Sequence, residues 1–282
     1  MANVNWQAYE EALKRFQLEQ EQAIRSETGW LSVDALHWLE KPDLRCTSDD
    51  SADIRLPAGA GRGDCLLIKR AGAELTLTSS NGTPLRYAGG TAHTVQVRAA
   101  AVGASDPIWI GNVLVEFLER EGRVAMRVRD PARPARKTFA GRRWFPANRD
   151  LVLSGRYIPT VAGEPIEVPN ALGGVDRFPS PGHVEFTVNG VACSLRAVTS
   201  SVHSPTLLFV FRDQTSGKET YGGGRFLSTP RPQAAGELPL DFNRAVSPPC
   251  GFTPYAPCPL PPAGNALTVP ITAGEMTPPT AY

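Results

Sequence analysis

The chain lacks a long hydrophobic run and an excess of either charge, and its first residues are not expected to form a secretory leader. No apolar stretch approaches the roughly 18 residues of a membrane-spanning helix, and the N-terminal MANVNWQAYEEALKRF is polar and amphipathic. The 29 basic residues are balanced by 28 acidic ones, for a net charge of +1. A neutral chain generates no long-range field toward nucleic acid or an anionic bilayer. We therefore expect a cytoplasmic protein with neither nucleic acid nor membrane as a partner.

Cysteine is scarce and its spacing is irregular. The five cysteines include no C-x-x-C pair, and no H-E-x-x-H motif accompanies them, so the sequence predicts no metal site and no cofactor. Cys250 and Cys258 leave three alternatives open, namely a nucleophile, metal ligands or a disulfide, beside the favoured interpretation of buried thiols. No G-x-S-x-G or Walker A motif occurs. Whether the protein is an enzyme therefore stays open.

Glycine and proline, at 26 residues each, are abundant and indicate a mostly β protein rich in turns. One long helix is predicted over residues 3–27, and Gly29 is the residue that stops it. Its apolar residues recur at helical spacing with Glu, Lys and Gln between them. They are Trp6, Tyr9, Leu13, Phe16 and Ile24.

Short alternating strands separated by turn clusters follow the helix. They predict an N-terminal helix and connector over 1–43, a β-sandwich over 44–130, and a second β domain over 139–282. The Pro/Arg-rich run 131–138 is predicted to link the two domains. The clearest hairpin lies within HVEFTVNGVACSLRAV, where Asn189-Gly190 predicts a type I′ turn. ALTVPITAG is predicted to form a last strand.

The stretch DFNRAVSPPCGFTPYAPCPLPP, residues 241–262, holds seven prolines and three aromatic residues. Proline excludes a helix or central strand, while the aromatic side chains require a core. We expect a rigid coil that closes the second domain over a pocket, with Trp144 or Phe145 as an apolar wall. The predicted ligand contacts share polar or cationic side chains, and Asp241 is the candidate general base. They are Tyr221, Arg225, Asp241, Asn243 and Arg244.

The same C-terminal half resembles a bacterial family of uncharacterised domains. The shared pattern begins with FRD-T and Y--GRFL, and continues as DFNRA--PPC-F-PY--CPLPP--N-L-V-I-AGE between Phe211 and Glu275. The resemblance implies membership of the family and a cytosolic bacterial origin, but no activity.

The middle region resembles a degenerate forkhead-associated (FHA) domain, a family of eleven-stranded sandwiches that bind phosphothreonine. The similarity lies in ADIRLP (52–57), SSNGTPL (79–85) and IWIGNVLVEF (108–117). Thr47-Ser48 stands where that family has its phosphate-binding Arg, and GRGDC (61–65) stands where it has Ser-Arg-x-His. Phosphothreonine binding is therefore not expected, because a phosphate needs Arg or several N–H donors.

Taken together, the residues favour a pocket in the C-terminal domain for a small, preferentially anionic molecule. The first alternative is an enzyme, such as a hydrolase that uses Asp241. The second is an interaction module that docks a protein partner through the FHA-like sandwich.

Overall fold

The computed structural model describes residues 5–49, 52–61, 63–80, 82–160, 165–201 and 203–279. The chain divides into two compact units, one formed by residues 1–23 and 139–282 and the other by residues 24–138. The first part of the predicted helix is thus grouped with the C-terminal β domain rather than with the sandwich. Among the described helices, none is both long and apolar enough to cross a membrane.

Helix α1, Trp6–Arg25, is close to the helix predicted from the apolar spacing. The Oδ1 atom of Asn5 accepts a hydrogen bond from the backbone N–H of Ala8 at 3.3 Å, which satisfies one of the unpaired donors of the first turn. Leu13 is 3% exposed. A buried leucine on an otherwise Glu-, Lys- and Gln-rich helix is what an amphipathic surface helix requires.

In the unit of residues 24–138, the described residues form eleven strands in two sheets. The six-stranded sheet has the order β1-β11-β10-β9-β6-β7 and the five-stranded sheet the order β3-β2-β4-β5-β8. The strands are β1 Val33–Trp38, β2 Asp43–Thr47, β3 Ile54–Arg55, β4 Asp64–Ala71, β5 Glu74–Ser79, β6 Leu85–Tyr87, β7 Gly90–Ala92, β8 Thr94–Arg98, β9 Ile108–Ile110, β10 Val113–Arg120 and β11 Arg123–Arg129. The unit ends with the short helix α2, Ala135–Thr138, inside the predicted linker.

The described residues of this unit include a hydrophobic core. Strand β5 shows how the sequence builds it, because Leu75 and Leu77 are buried while Glu74 is exposed and Thr76 half-buried. Alternate side chains of a strand point to opposite faces, so the pattern ELTLTS places its leucines on one face. Burying each leucine contributes about 1.5–3 kcal/mol. Two residues of the FHA-like motifs, Arg62 and Asn81, lie outside the described part of the chain.

The other unit is also built of antiparallel strands. Its strands are β12 Val152–Pro159, β13 Pro165–Pro169, β14 Val175–Pro179, β15 Gly182–Val188, β16 Val191–Arg196, β17 Thr206–Phe211, β18 Arg225–Pro230 and β19 Gly236–Asp241. They form a four-stranded sheet of order β16-β15-β12-β19 and the pairs β13-β14 and β17-β18. The second β domain is therefore confirmed as mostly β.

The predicted hairpin is confirmed as β15 and β16. Asn189 and Gly190 have φ values of 49° and 82°, the left-handed pair that a type I′ turn requires. Val184, Phe186 and Val188 are buried. The alternation of apolar residues therefore fixed both the strands and the face that is buried.

After β19 the chain continues as irregular but well-bonded coil, with 3-10 turns at Phe242–Arg244 and Pro249–Gly251. The predicted last strand is wrong, because ALTVPITAG makes only an isolated bridge, between Ala266 and Arg212. Instead of a ladder, its backbone bonds side chains and neighbouring loops. The Ile271 N–H, for example, donates to the Asp213 carboxylate at 3.1 Å.

Candidate functional site

Asp241 lies at the end of β19 and caps the 3-10 turn that follows it. One carboxylate oxygen accepts hydrogen bonds from the Asn243 N–H at 3.1 Å and from the Tyr9 hydroxyl at 2.8 Å. The other oxygen accepts from Nε of Arg244 at 3.1 Å. Both oxygens of the candidate general base thus already have protein donors.

Asn243 is buried at 1% exposure, and its amide is fully used within the protein. Its Oδ1 accepts from the Asn148 N–H at 2.8 Å, and its Nδ2 donates to the Asn148 carbonyl at 2.9 Å. The second amide hydrogen points to the Tyr9 hydroxyl at 3.0 Å. A buried amide with all these partners is a structural crosslink.

Asp241 and Asn243 therefore both bond the hydroxyl of Tyr9 in α1, and Arg244 bonds Asp241. Burial, and after it the hydrogen bond and negative charge of Asp241, raise the pKa of the Tyr9 hydroxyl, so that it stays a proton donor. The Arg244 guanidinium lies 4.9 Å from the centre of the Phe16 ring on the same helix. The Asp-Phe-Asn-Arg tetrad thus fastens the helix to the β domain.

Arg225 begins β18 and its side chain is fully buried. One Nη atom donates to Asp213 and to the Ile271 carbonyl, each at 2.8 Å, and the other donates to the Ala273 carbonyl. Burial lowers the pKa of Arg225, and the charge of Asp213 opposes that shift. Arg225 therefore forms a buried ion pair with Asp213 and also bonds the backbone of the C-terminal coil at Ile271 and Ala273.

The partner of Arg225 is equally well bonded. One Asp213 oxygen accepts from the N–H and hydroxyl of Thr215, at 2.8 and 2.6 Å, and from the Ile271 N–H. The FRD-T and GRFL parts of the signature are thus two halves of one buried network. This explains physically why Asp, Thr and Arg occur there together.

Tyr221 donates its hydroxyl to the Cys250 carbonyl at 3.0 Å and so braces the Pro-rich coil. In the glycine run that follows it, Gly224 has a φ of 96°, and a Cβ there would lie 2.6 Å from the Phe211 carbonyl oxygen. The glycine therefore permits a close approach of the chain to its own neighbouring strand.

Of the two predicted wall residues, Trp144 packs edge-on against Phe16, with ring centroids 6.1 Å apart. The backbone of Phe145 donates to the Gly274 carbonyl at 2.9 Å. The structure thus places the predicted residues in two networks, one around Tyr9 and one around Asp213 and the coil. Their use as ligand contacts stays a prediction.

Glu275 is a functional candidate that the sequence analysis missed. It is completely buried, and one of its oxygens accepts from Arg142 at 2.6 Å and from the Ser247 N–H at 2.7 Å. In the described part of the chain, its other oxygen has no hydrogen-bond partner, nor does the Ser247 hydroxyl. Burial raises the pKa of Glu275 to about 7, against the opposing effect of Arg142. In the sequence, Glu275 is marked as the last residue of the AGE ending of the shared pattern.

A cavity of about 470 Å³ opens elsewhere in this unit, and no motif in the sequence indicated it. Antiparallel pairing of Thr206 with Pro230 brings the start of β17 beside the end of β18. The cavity is lined by Tyr157, Pro159, His203, Ser204, Pro205, Arg231, Pro232 and Gln233. No Asp or Glu occurs among these lining residues.

The walls of this cavity are held by hydrogen bonds. The Arg231 N–H donates to the Pro205 carbonyl at 2.8 Å, and the Ser204 hydroxyl donates to the Thr206 carbonyl at 3.0 Å. Tyr157 is buried and donates its hydroxyl to the Pro181 carbonyl at 2.8 Å. Burial raises the pKa of Tyr157, while the charge and hydrogen bond of Arg231 oppose that shift. Arg231 therefore lies close enough to Tyr157 to influence its hydroxyl.

No three His, Cys, Asp or Glu residues in the described ranges lie close enough to hold a metal ion. The geometry instead defines a mostly β protein with a polar, cation-bearing cavity and heavily crosslinked C-terminal coil. Residues 137–276 match the family model described as "Protein of unknown function (DUF1684)". This stretch, just under half of the chain, is similar to that family.

One similar solved structure is the solution NMR structure of the uncharacterized protein from gene locus rrnAC0354 of Haloarcula marismortui. It is 30% identical, the match covers 50% of this chain and 79% of that one, and the TM-score is 0.43. No curated protein matches the chain. The FHA resemblance of the middle region stays a prediction.

Proposed function

We propose that the C-terminal unit binds a small anionic molecule in the cavity beside Arg231. The observation that carries the proposal is the composition of the cavity wall, whose described residues include an arginine, a histidine, a serine and a glutamine but no carboxylate. A guanidinium in a concave site without acidic residues attracts carboxylate or phosphate groups. The volume of about 470 Å³ suits a metabolite-sized ligand.

The rigidity of the wall supports the same proposal. Pro159, Pro205 and Pro232 line the cavity, and proline restricts the backbone before any ligand arrives. The Arg231 backbone is bonded to Pro205, and its guanidinium lies near the Tyr157 hydroxyl. A pre-ordered arginine loses little conformational entropy on binding, which leaves more of the interaction energy for affinity.

The test compares Arg231→Gln with a matched control, Arg156→Gln, in calorimetric titrations and thermal-shift assays. Arg156 is an exposed residue of β12 and, next to Tyr157 in the strand, points to the opposite face. The probes are inorganic phosphate, pyrophosphate and citrate, with sodium chloride at matched ionic strength as the reference. We expect Arg231→Gln to weaken binding of the best probe at least about tenfold, or about 1.4 kcal/mol, and the control to bind normally.

Unchanged binding in Arg231→Gln would contradict the proposal. A third variant, Arg244→Gln, tests the site predicted from the sequence, because the Arg244 side chain is 36% exposed while Arg225 is fully buried. Loss of binding in Arg244→Gln alone would indicate that the ligand binds at the Asp241 network and not beside Arg231. Absence of binding by any probe in the unaltered protein would refute the anion-binding function.

The two other functions have less support. A hydrolase that uses Asp241 requires a carboxylate oxygen able to accept a proton from substrate or water, and both oxygens accept from Tyr9, the Asn243 N–H or Arg244. An interaction module based on the sandwich requires a protein partner. It is tested by a pull-down with and without residues 44–130, in which capture that survives the deletion refutes it.

A further inference from the structure

Cys250 and Cys258 are brought together by the irregular Pro-rich coil. The Cys250 N–H donates to the Cys258 sulfur at 3.2 Å. Neither cysteine is in a disulfide, and their exposures are 7% and 5%. The Cys250 sulfur is only three covalent bonds from the nitrogen that contacts Cys258, so the two thiols are neighbours.

The backbone on both sides of the pair is fixed by hydrogen bonds. Cys250 lies in the 3-10 turn Pro249–Gly251, and its carbonyl accepts from the Tyr221 hydroxyl. The Cys258 N–H donates to the Ala256 carbonyl at 2.9 Å, and its own carbonyl accepts from the Ala171 N–H at 2.9 Å. The proximity of the thiols is therefore built into the fold, not left to a flexible loop.

The Cys250 thiol also differs in acidity from the buried thiol of Cys46. A hydrogen bond from Cys258 lowers the pKa of the Cys250 thiol, although burial opposes the shift. In contrast, burial raises the pKa of Cys46 to about 12. The thiolate is the reactive form of cysteine, so the lowered pKa favours Cys250 as the thiol that an oxidant attacks.

We propose that Cys250 and Cys258 form a redox modification site, in which a peroxide converts the two thiols into an intrachain disulfide. The Cys250 thiolate attacks a peroxide oxygen, the O–O bond breaks, and the first water leaves as Cys250 becomes a sulfenic acid. The Cys258 sulfur then attacks the Cys250 sulfur and displaces the second water. The sulfurs lose two electrons in total, the peroxide gains them, and the two thiol protons end in the waters.

The test treats the full-length chain with hydrogen peroxide and maps peptides by mass spectrometry before and after reduction with dithiothreitol. We expect a crosslink between the peptides of Cys250 and Cys258, with the loss of two hydrogen atoms, that reduction reverses. Cys258→Ser should instead leave Cys250 as a sulfenic acid that dimedone traps. Cys193→Ser is the control, because burial raises the pKa of that thiol, and it should form the crosslink normally.

Because the main measurement uses the unaltered protein, the proposal does not depend on the variants folding. A crosslink that joins another pair, such as Cys46 with Cys65, would overturn it. Two other outcomes would also overturn it, at peroxide doses that oxidise a small-molecule dithiol completely. One is oxidation of Cys250 to a stable sulfinic acid, and the other is that both thiols can still be alkylated.

Discussion

Glu275 offers the sharpest test of the packing in the C-terminal unit. The carboxyl is completely buried against Arg142, and one of its oxygens has no hydrogen-bond partner in the described residues. Its pKa rises from 4.5 to about 7 in the folded protein. Between these two pH values the folded state holds a proton that the unfolded state has released, so stability falls as pH rises.

The magnitude follows from the size of that shift. One pKa unit corresponds to about 1.4 kcal/mol, so ionising Glu275 removes about 3 kcal/mol of stability in total. The loss begins near pH 4.5 and is complete above pH 7. Glu275→Gln keeps an oxygen acceptor for Arg142 and the Ser247 N–H but cannot ionise. Its stability should therefore lack this part of the pH dependence.

Urea unfolding followed by circular dichroism at pH 5 and pH 8 measures the effect. We expect the stability of Glu275→Gln relative to the unaltered protein to rise by about 2–3 kcal/mol between the two pH values. The exposed Glu219 supplies the control, since Glu219→Gln should follow the unaltered protein at both. Parallel behaviour of Glu275→Gln and the unaltered protein would refute the reasoning.

Two further variants test the networks of the predicted site. Tyr9→Phe removes the hydroxyl shared by Asp241 and Asn243 and should cost about 1–3 kcal/mol in urea unfolding; an equal cost in Tyr87→Phe, at a partly exposed ring, would contradict a specific clamp. Arg225→Met leaves the buried charge of its partner carboxylate unpaired and should cost about 3–5 kcal/mol. If Arg225→Met lowers the melting temperature no more than Arg212→Met, at an exposed neighbouring residue, the ion pair is not needed for stability.

Local sequence patterns were sufficient wherever one element carried its own signal. The helical spacing from Trp6 onward predicted α1, and the alternation around Asn189-Gly190 predicted both strands of a hairpin and its turn. The prediction of a last strand was wrong, although the segment has the apolar alternation that is typical of one. The Asp213 side chain, which is remote in sequence, binds the backbone that a neighbouring strand would have paired.

The candidate site was harder to predict because residue type does not reveal whether a polar group is already bonded. Asp, Asn and Arg in one tetrad suit ligand binding and suit a crosslink equally well. Only the fold shows that Asp241 bonds Tyr9, which lies on a helix 232 positions earlier in the chain. The cavity beside Arg231 had no motif, because its walls come from separate turns.

The amino-acid order by itself determined the β-rich class, the long helix, the main hairpin and the ordered nature of the Pro-rich coil, since each depends on neighbours along the chain. Tertiary structure decided which polar side chains are bonded to one another, how Cys250 meets Cys258 and where a cavity forms. Those outcomes depend on distances that the folded backbone sets, across eight positions for Cys250 and Cys258 and across 232 for Tyr9 and Asp241. Local propensity contains no information about such distances.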